Sequence, residues 1–204
     1  MVVDHPLVQH KLSQLRDRDT RPQEFRQAMA EIAALMVYEA TRDFETKPKT
    51  IHTPLARTRG SELKRDVVLV PILRAGLGLL DPFLRIIPHA QVGFIGLKRD
   101  EATLESHFYH QSLPKNLGRF EVIVVDPMLA TGGSTLAALK LIFGMQAKRV
   151  RIVNVLSAPE GIQAVHAVYP QLDMFTAAID RKLTSIGYIT PGLGDAGDRL
   201  FGPG

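Results

Sequence analysis

The feature that most constrains this chain is a series of short apolar runs, most of them followed by a helical pattern. They lie at Asp66 to Ile72, Gln91 to Leu97, Phe120 to Val125 and Arg149 to Leu156, with a further one at Met174 to Ala178. A strand with one wet face alternates apolar and polar residues, whereas an unbroken run of Val, Ile and Leu suits a strand covered on both faces. Helical patterns occupy Ala75 to Ile87, Ser134 to Phe143 and Pro159 to Val168. Strands alternating with helices predict βαβ units: an α/β fold with a parallel sheet flanked by helices.

The N-terminal part reads as helical. Leu7, Leu12 and Leu15 suit a short amphipathic helix. Thr20 stands three residues before Gln23, with Pro22 in the first turn, which predicts a helix start capped by Thr20. Phe25, Met29, Ile32, Leu35 or Met36, and Glu39 or Ala40 then follow at helical spacing. The helix from Pro22 to Asp43 carries more apolar surface than a lone N-terminal helix needs. That stripe is predicted to face the core or a second copy of the chain.

Composition narrows the class. The chain has 204 residues, 45 % of them hydrophobic, enough for a core and against disorder. We expect one domain over residues 1–204, with a core at about 60–182 and elaborations at 1–45 and 183–204. There is no cysteine, so disulfides and thiolate metal sites are excluded, in keeping with a reducing cytoplasm. The formal charge of +4 is spread out, with no basic block of the kind that binds nucleic acid, and no apolar run is long enough to span a bilayer.

The sharpest local signal runs from Val122 to Thr135. Apolar strand residues lead to Asp126, then through Pro127, Met128, Leu129, Ala130, Thr131, Gly132 and Gly133 to Ser134 and an amphipathic helix. Ligands of open parallel sheets bind beyond the carboxyl ends of the strands. A helix start there offers unpaired N–H groups and a positive dipole end, which suit a phosphate. A P-loop would need a Lys before the Ser, and a dinucleotide fingerprint would need three spaced glycines; neither is present. On spacing alone, a phosphate cradle and a capped glycine turn both remain.

Other stretches carry weaker signals. Arg74 follows the first apolar strand, where a guanidinium could grip a phosphate with two hydrogen bonds. Lys98 to Gly118 is polar and joins two strands, as a lid or hairpin would. Gly187 to Arg199 has neither period; it is either frayed or packed through Tyr188, Ile189 and Leu193. Among the seven histidines, including His107 and His110, no pair has a compelling metal spacing.

With these residues on the page, the chain resembles a known family. Asp126 to Thr135 is similar to the phosphoribosyl-diphosphate loop of type I phosphoribosyltransferases, and its form resembles the uracil phosphoribosyltransferase branch. The likeness extends to His5–Leu12, Tyr38–Asp43, Pro71–Gly76, Arg99–Leu104 and Gly187–Phe201. Relatives often carry two adjacent acids at the loop start, where this chain has Asp126 and Pro127.

The resemblance implies a sheet with a small hood and a mobile loop or hairpin, and transfer of phosphoribose to uracil to give UMP and diphosphate. It implies that Arg74, Arg99, Asp126 and Asp195 are catalytic. Those four and Pro127 to Ser134 would hold the phosphoribosyl diphosphate, and Ile189, Gly194, Asp195 and Ala196 the uracil. Mg²⁺ would arrive with the substrate, through water on Asp126 or Asp195 rather than a protein cage. A non-proline cis peptide is expected within Leu73–Gly76. GTP as effector and a homodimer or larger assembly are further implications. Two rivals stay open: an RNA-binding regulator on the same fold, and a phosphoribosyltransferase for another base.

Overall fold

The computed structural model describes residues 1–99 and 106–203. In chain order the elements are α1 (Pro6–Arg16), α2 (Pro22–Ala40), β1 (Thr46–His52), β2 (Arg57–Leu63), β3 (Val67–Leu73), α3 (Leu77–Ile86), β4 (Gln91–Val92), β5 (Phe94–Arg99) and β6 (Ser106–Ser112). A 3₁₀ turn at Leu117–Arg119 leads to β7 (Glu121–Val125), β8 (Met128–Leu129), α4 (Gly133–Gly144), β9 (Arg149–Ser157), α5 (Pro159–Val168) and β10 (Asp173–Ile179). Two short strands, β11 (Lys182–Leu183) and β12 (Ile189–Thr190), and α6 (Ala196–Phe201) complete it.

The main sheet runs β10-β9-β7-β3-β5-β6, with β4 beside β3 and β8 beside β9. Its strands are parallel except β6, which returns antiparallel to β5. The polar stretch after Lys98 is therefore a hairpin where it is described.

The continuous apolar runs resolve into two faces. Val67, Leu69, Ile123, Val125, Val153 and Val155 point into one core with α1, α2, α3 and α6. Val68, Val70, Val122, Val124 and Ile152 point into the other, with Ala138, Leu139 and Ile142 of α4 and Val165 of α5. Period-two pleating thus sorts each strand between two helical layers.

Three sequence expectations need correction. The Pro22–Asp43 stripe is not surplus surface: Phe25, Met29, Ile32, Met36 and Ala40 are buried within this chain. In α1 the inner stripe is Val8, Leu12 and Leu15, while Leu7 is exposed, because four-residue spacing places Val8 above Leu12. Thr20 does not cap α2. Its hydroxyl donates to the Gln14 carbonyl at 2.6 Å, and the cap falls on Arg21, whose N–H donates to the Glu24 carboxylate at 3.2 Å. Pro22 sets the first helical residue and fixes the start there. The β1–β2 hairpin was unforeseen, and its residues are almost all exposed. Among the described residues no helix is long and apolar enough to cross a membrane.

Candidate active site

Neighbouring parallel strands end together, so the order β7-β3-β5 brings Asp126, Arg74 and the backbone of Arg99 to one edge. The Arg99 side chain and the stretch Asp100–Leu104 lie outside what the structure describes.

Beyond β7 the chain makes the expected cradle. Asp126 N–H donates to the Val153 carbonyl at 3.2 Å, and Met128–Leu129 add a short parallel strand beside β9. Gly132 turns the chain with φ +84°, a conformation L side chains rarely adopt, and caps α4 without any side-chain hydrogen bond. Among the described residues the first N–H groups of α4 are therefore nearly uncommitted; only Gly133 reaches the Thr131 hydroxyl, at 3.5 Å. Gly133 is exposed and Thr131 and Ser134 are half-buried, so the loop opens to a ligand.

Asp126 is half-buried at the base of this cradle. Burial pushes its carboxyl up to about 7, against the lowering effect of the Met128 N–H that it accepts. Its own carbonyl takes a 2.6 Å hydrogen bond from Asn154 Nδ2, from a fully buried residue of β9. Asn154 was not foreseen; the clue was a lone amide inside an apolar strand, which is costly to bury without a partner.

Arg74 stands on the turn after β3. The non-proline cis peptide foreseen near it is Leu73–Arg74. Two residues on, Gly76 closes onto both strand ends, leaving no space for a β-carbon between the Ile72 and Val125 carbonyls. The guanidinium of Arg74 faces Asp198 of α6, with Nη2 3.5 Å from Oδ1.

The C-terminal segment is packed. β11 and β12 pair antiparallel, Thr190–Pro191 is cis, and Ile189, Leu193, Ala196 and Leu200 belong to the core on the α2 side. Asp195 caps α6, its carboxylate accepting the Asp198 N–H at 2.8 Å. A cavity of about 290 Å³ lies between this segment and the phosphate loop. Ile189, Gly194, Asp195 and Ala196 line one side, and Met128 and Ala130 the other. Tyr188, Gly187 and Ile186, the last not foreseen, complete its rim.

A clamp from the N-terminus secures that segment. Arg16 forks onto Asp180 at 2.8 and 2.6 Å and also donates to the Gly192 carbonyl at 3.0 Å, while Gly192 N–H donates to Asp180 at 2.7 Å. Burial works against ionisation of Asp180, yet the Arg16 hydrogen bonds and the Gly192 N–H hold its carboxyl below the ordinary range. Removing one partner of such a pair leaves the other uncompensated. Asp180→Ala should therefore cost about 2–3 kcal/mol, less than a fully buried pair because Arg16 is partly wet. A depressed carboxyl stabilises the fold above its unfolded pKa. The difference should be full above about pH 4 and shrink as acid titrates the group. Urea unfolding of both proteins at pH 7 and pH 3 checks this; equal midpoints at pH 7 would remove the clamp from the account.

The fold is found in solved structures. A protein from Aquifex aeolicus superposes with a TM-score of 0.95 at 40 % identity, covering 99 % of this chain and 97 % of its own. A hypoxanthine-guanine phosphoribosyltransferase from Bacillus anthracis shares the fold at a TM-score of 0.54 and 15 % identity, over 78 % of this chain and 80 % of its own. Sheet order, strand-end loop and flanking helices define the class: a type I phosphoribosyltransferase fold. The family model for uracil phosphoribosyltransferase matches residues 2–203. A Dictyoglomus turgidum protein of that name is 53 % identical over 203 residues, covering 99 % of this chain and 98 % of its own. One from Levilactobacillus brevis is 50 % identical over 202 residues, covering 98 % and 97 %. The chain belongs to the uracil phosphoribosyltransferase family.

Proposed function

We propose that this chain joins uracil to 5-phospho-α-D-ribose 1-diphosphate, giving UMP and diphosphate. The observation that carries the reading is the cavity of about 290 Å³ between the phosphate loop and the C-terminal segment. Uracil N1 attacks C1 of the ribose, the C1–O bond to diphosphate breaks with its electron pair, and the N1 proton goes to solvent. The protein's part is alignment and charge stabilisation. Ala130 to Ser134 and the start of α4 take the 5′-phosphate. Asp126 accepts from the ribose hydroxyls. Arg74, with Arg99, takes the diphosphate, and Asp195 stands where diphosphate and base meet.

The donor set fits Mg²⁺ brought by the substrate. Among the described residues no three His, Asp or Glu side chains converge on a metal site, while Asp126 and Asp195 offer single carboxylates at this edge. When bound, Mg²⁺ would neutralise charge on the departing diphosphate. We also propose association into a homodimer or larger assembly. With the α2 stripe occupied inside the chain, the support comes from the β1–β2 hairpin, where Ile51 and Leu55 are 40 % and 97 % exposed.

Uracil presents O2 and O4 as acceptors and N3–H as a donor, whereas cytosine reverses the pattern at N3 and position 4. Backbone N–H and C=O groups between Tyr188 and Ala196 that match uracil would be mispaired with cytosine. Sites that read a polar edge discriminate by roughly 10⁴–10⁵. Diphosphate release should therefore be measured with uracil, cytosine, hypoxanthine and adenine. Uracil should dominate, and comparable rates with cytosine would overturn the base assignment.

A further inference from the structure

Arg74 has one acidic partner among the described residues, Asp198, and the pair is loose. Nη2 lies 3.5 Å from Oδ1, and the side chains are 51 % and 47 % exposed. The support under Asp198 is fixed. Arg199 donates to the carbonyls of Leu15, Asp17 and Leu193 and lies over the Phe25 ring. Arg26 donates to the Leu200 carbonyl at 2.9 Å, and Leu200 is buried in the core. The Asp198 N–H is held by Asp195. A carboxylate on a rigid helix thus faces a guanidinium on the turn after β3.

We propose that Asp198 is a positioning residue for the diphosphate half of the reaction: it holds the Arg74 guanidinium between turnovers and reclaims it as diphosphate leaves. The proposal rests on Arg74 being a diphosphate ligand. A half-exposed pair contributes little and exchanges readily. A diphosphate offers more charge and two-point hydrogen bonding, so it displaces the carboxylate. On release, Asp198 competes for the guanidinium, and its charge disfavours the product nearby. Asp198 therefore weakens product binding and shortens product residence. It also joins the diphosphate side to the segment that carries the base site, since Asp195 and Asp198 share one helical turn.

The test is calorimetric titration of the full chain with Mg²⁺ and inorganic diphosphate, using Asp198→Asn, Arg74→Gln and the double variant. Asp198→Asn should tighten diphosphate binding by about two- to five-fold, the upper end being ~1 kcal/mol at 1.4 kcal/mol per decade. It should also strengthen product inhibition of UMP formation by the same factor. In the Arg74→Gln background the Asp198→Asn effect should vanish, whereas a general charge effect or a helix-start role would persist. Asp198→Ser serves as a second variant, because the backbone cap on Asp195 needs no side chain at this position. Unchanged or weaker diphosphate binding in both Asp198 variants, or an equal gain without Arg74, overturns the proposal. If Arg74→Gln alone leaves diphosphate affinity unchanged, the assignment of Arg74 itself fails, which is a separate result.

Discussion

Gly76→Ala should nearly abolish UMP formation and destabilise the fold together. A β-carbon there would lie 2.6 Å from both the Ile72 and Val125 carbonyl oxygens and 2.7 Å from the Ile72 nitrogen. All three are backbone atoms of paired strands, so no side chain can swing aside. The strand ends must part, and Val125 directly precedes Asp126. Overpacking of this kind costs about 1–3 kcal/mol and can exceed that. A misplacement near 1 Å at a reacting centre costs roughly a hundred-fold in rate. Gly144→Ala supplies the control: nothing lies within 4 Å of its would-be β-carbon, and it ends α4. That change should be neutral or gain up to about 1 kcal/mol. Urea unfolding and UMP formation on both variants decide the matter. Parental kinetics in Gly76→Ala would show that the two strand ends need not be in register.

Asp126→Asn should make the protein more stable and far less active. Burial raises the Asp126 carboxyl to about 7, so the native state keeps a proton that the unfolded chain loses near pH 4. For a group raised on folding, stability is greatest below the unfolded value and declines as pH climbs through the folded one. Asparagine has no charge to bury and should gain most above pH 7. The full displacement corresponds to about 4 kcal/mol at 1.36 kcal/mol per pH unit. Allowing for relaxation and water entry, we expect about 2 kcal/mol at pH 8 and clearly less at pH 5. Activity should fall by about 10²-fold, because the amide is a poorer acceptor for ribose hydroxyls than a carboxylate. Thermal unfolding at both pH values, beside UMP formation at pH 8, tests each half. An equal Tm change at pH 5 and pH 8 would mean that charge burial is not the cause.

What could be read in advance followed from how local each signal was. The strands declared themselves because both faces of β3, β7 and β9 are buried and Val, Ile and Leu dominate their sequences. The strand-to-helix turn after β7 was legible because strand, acid, glycine turn and helix follow one another along the chain. The β1–β2 hairpin was invisible for the opposite reason: Thr46–His52 is wholly exposed and carries Pro48, so no alternation marks it. In α2, spacing left Leu35 or Met36 open, and packing chose Met36. Asn154, Asp198 and the Arg16–Asp180 clamp could not be found from spacing, since their partners are remote in sequence. The apolar surplus assigned to α2 was misjudged because α1, α3, β9, β10 and α6 all lean on that helix.

The clamp also bears on the order in which the molecule assembles. Arg16 and Asp180 are 164 residues apart, and Met1 reaches Met174 over 173. Contacts that close such long loops are entropically slow to find, and each doubling of loop length adds ~0.6 kcal/mol to closure. The cradle after β7 depends on strands much nearer in sequence. On the proposed assignment of the sites, a folding chain that has paired β3, β7 and β9 but has not docked its N-terminal helix would hold a place for phosphate and none for a base. Competence for the two proposed substrates would then be acquired in sequence, with the nucleobase last.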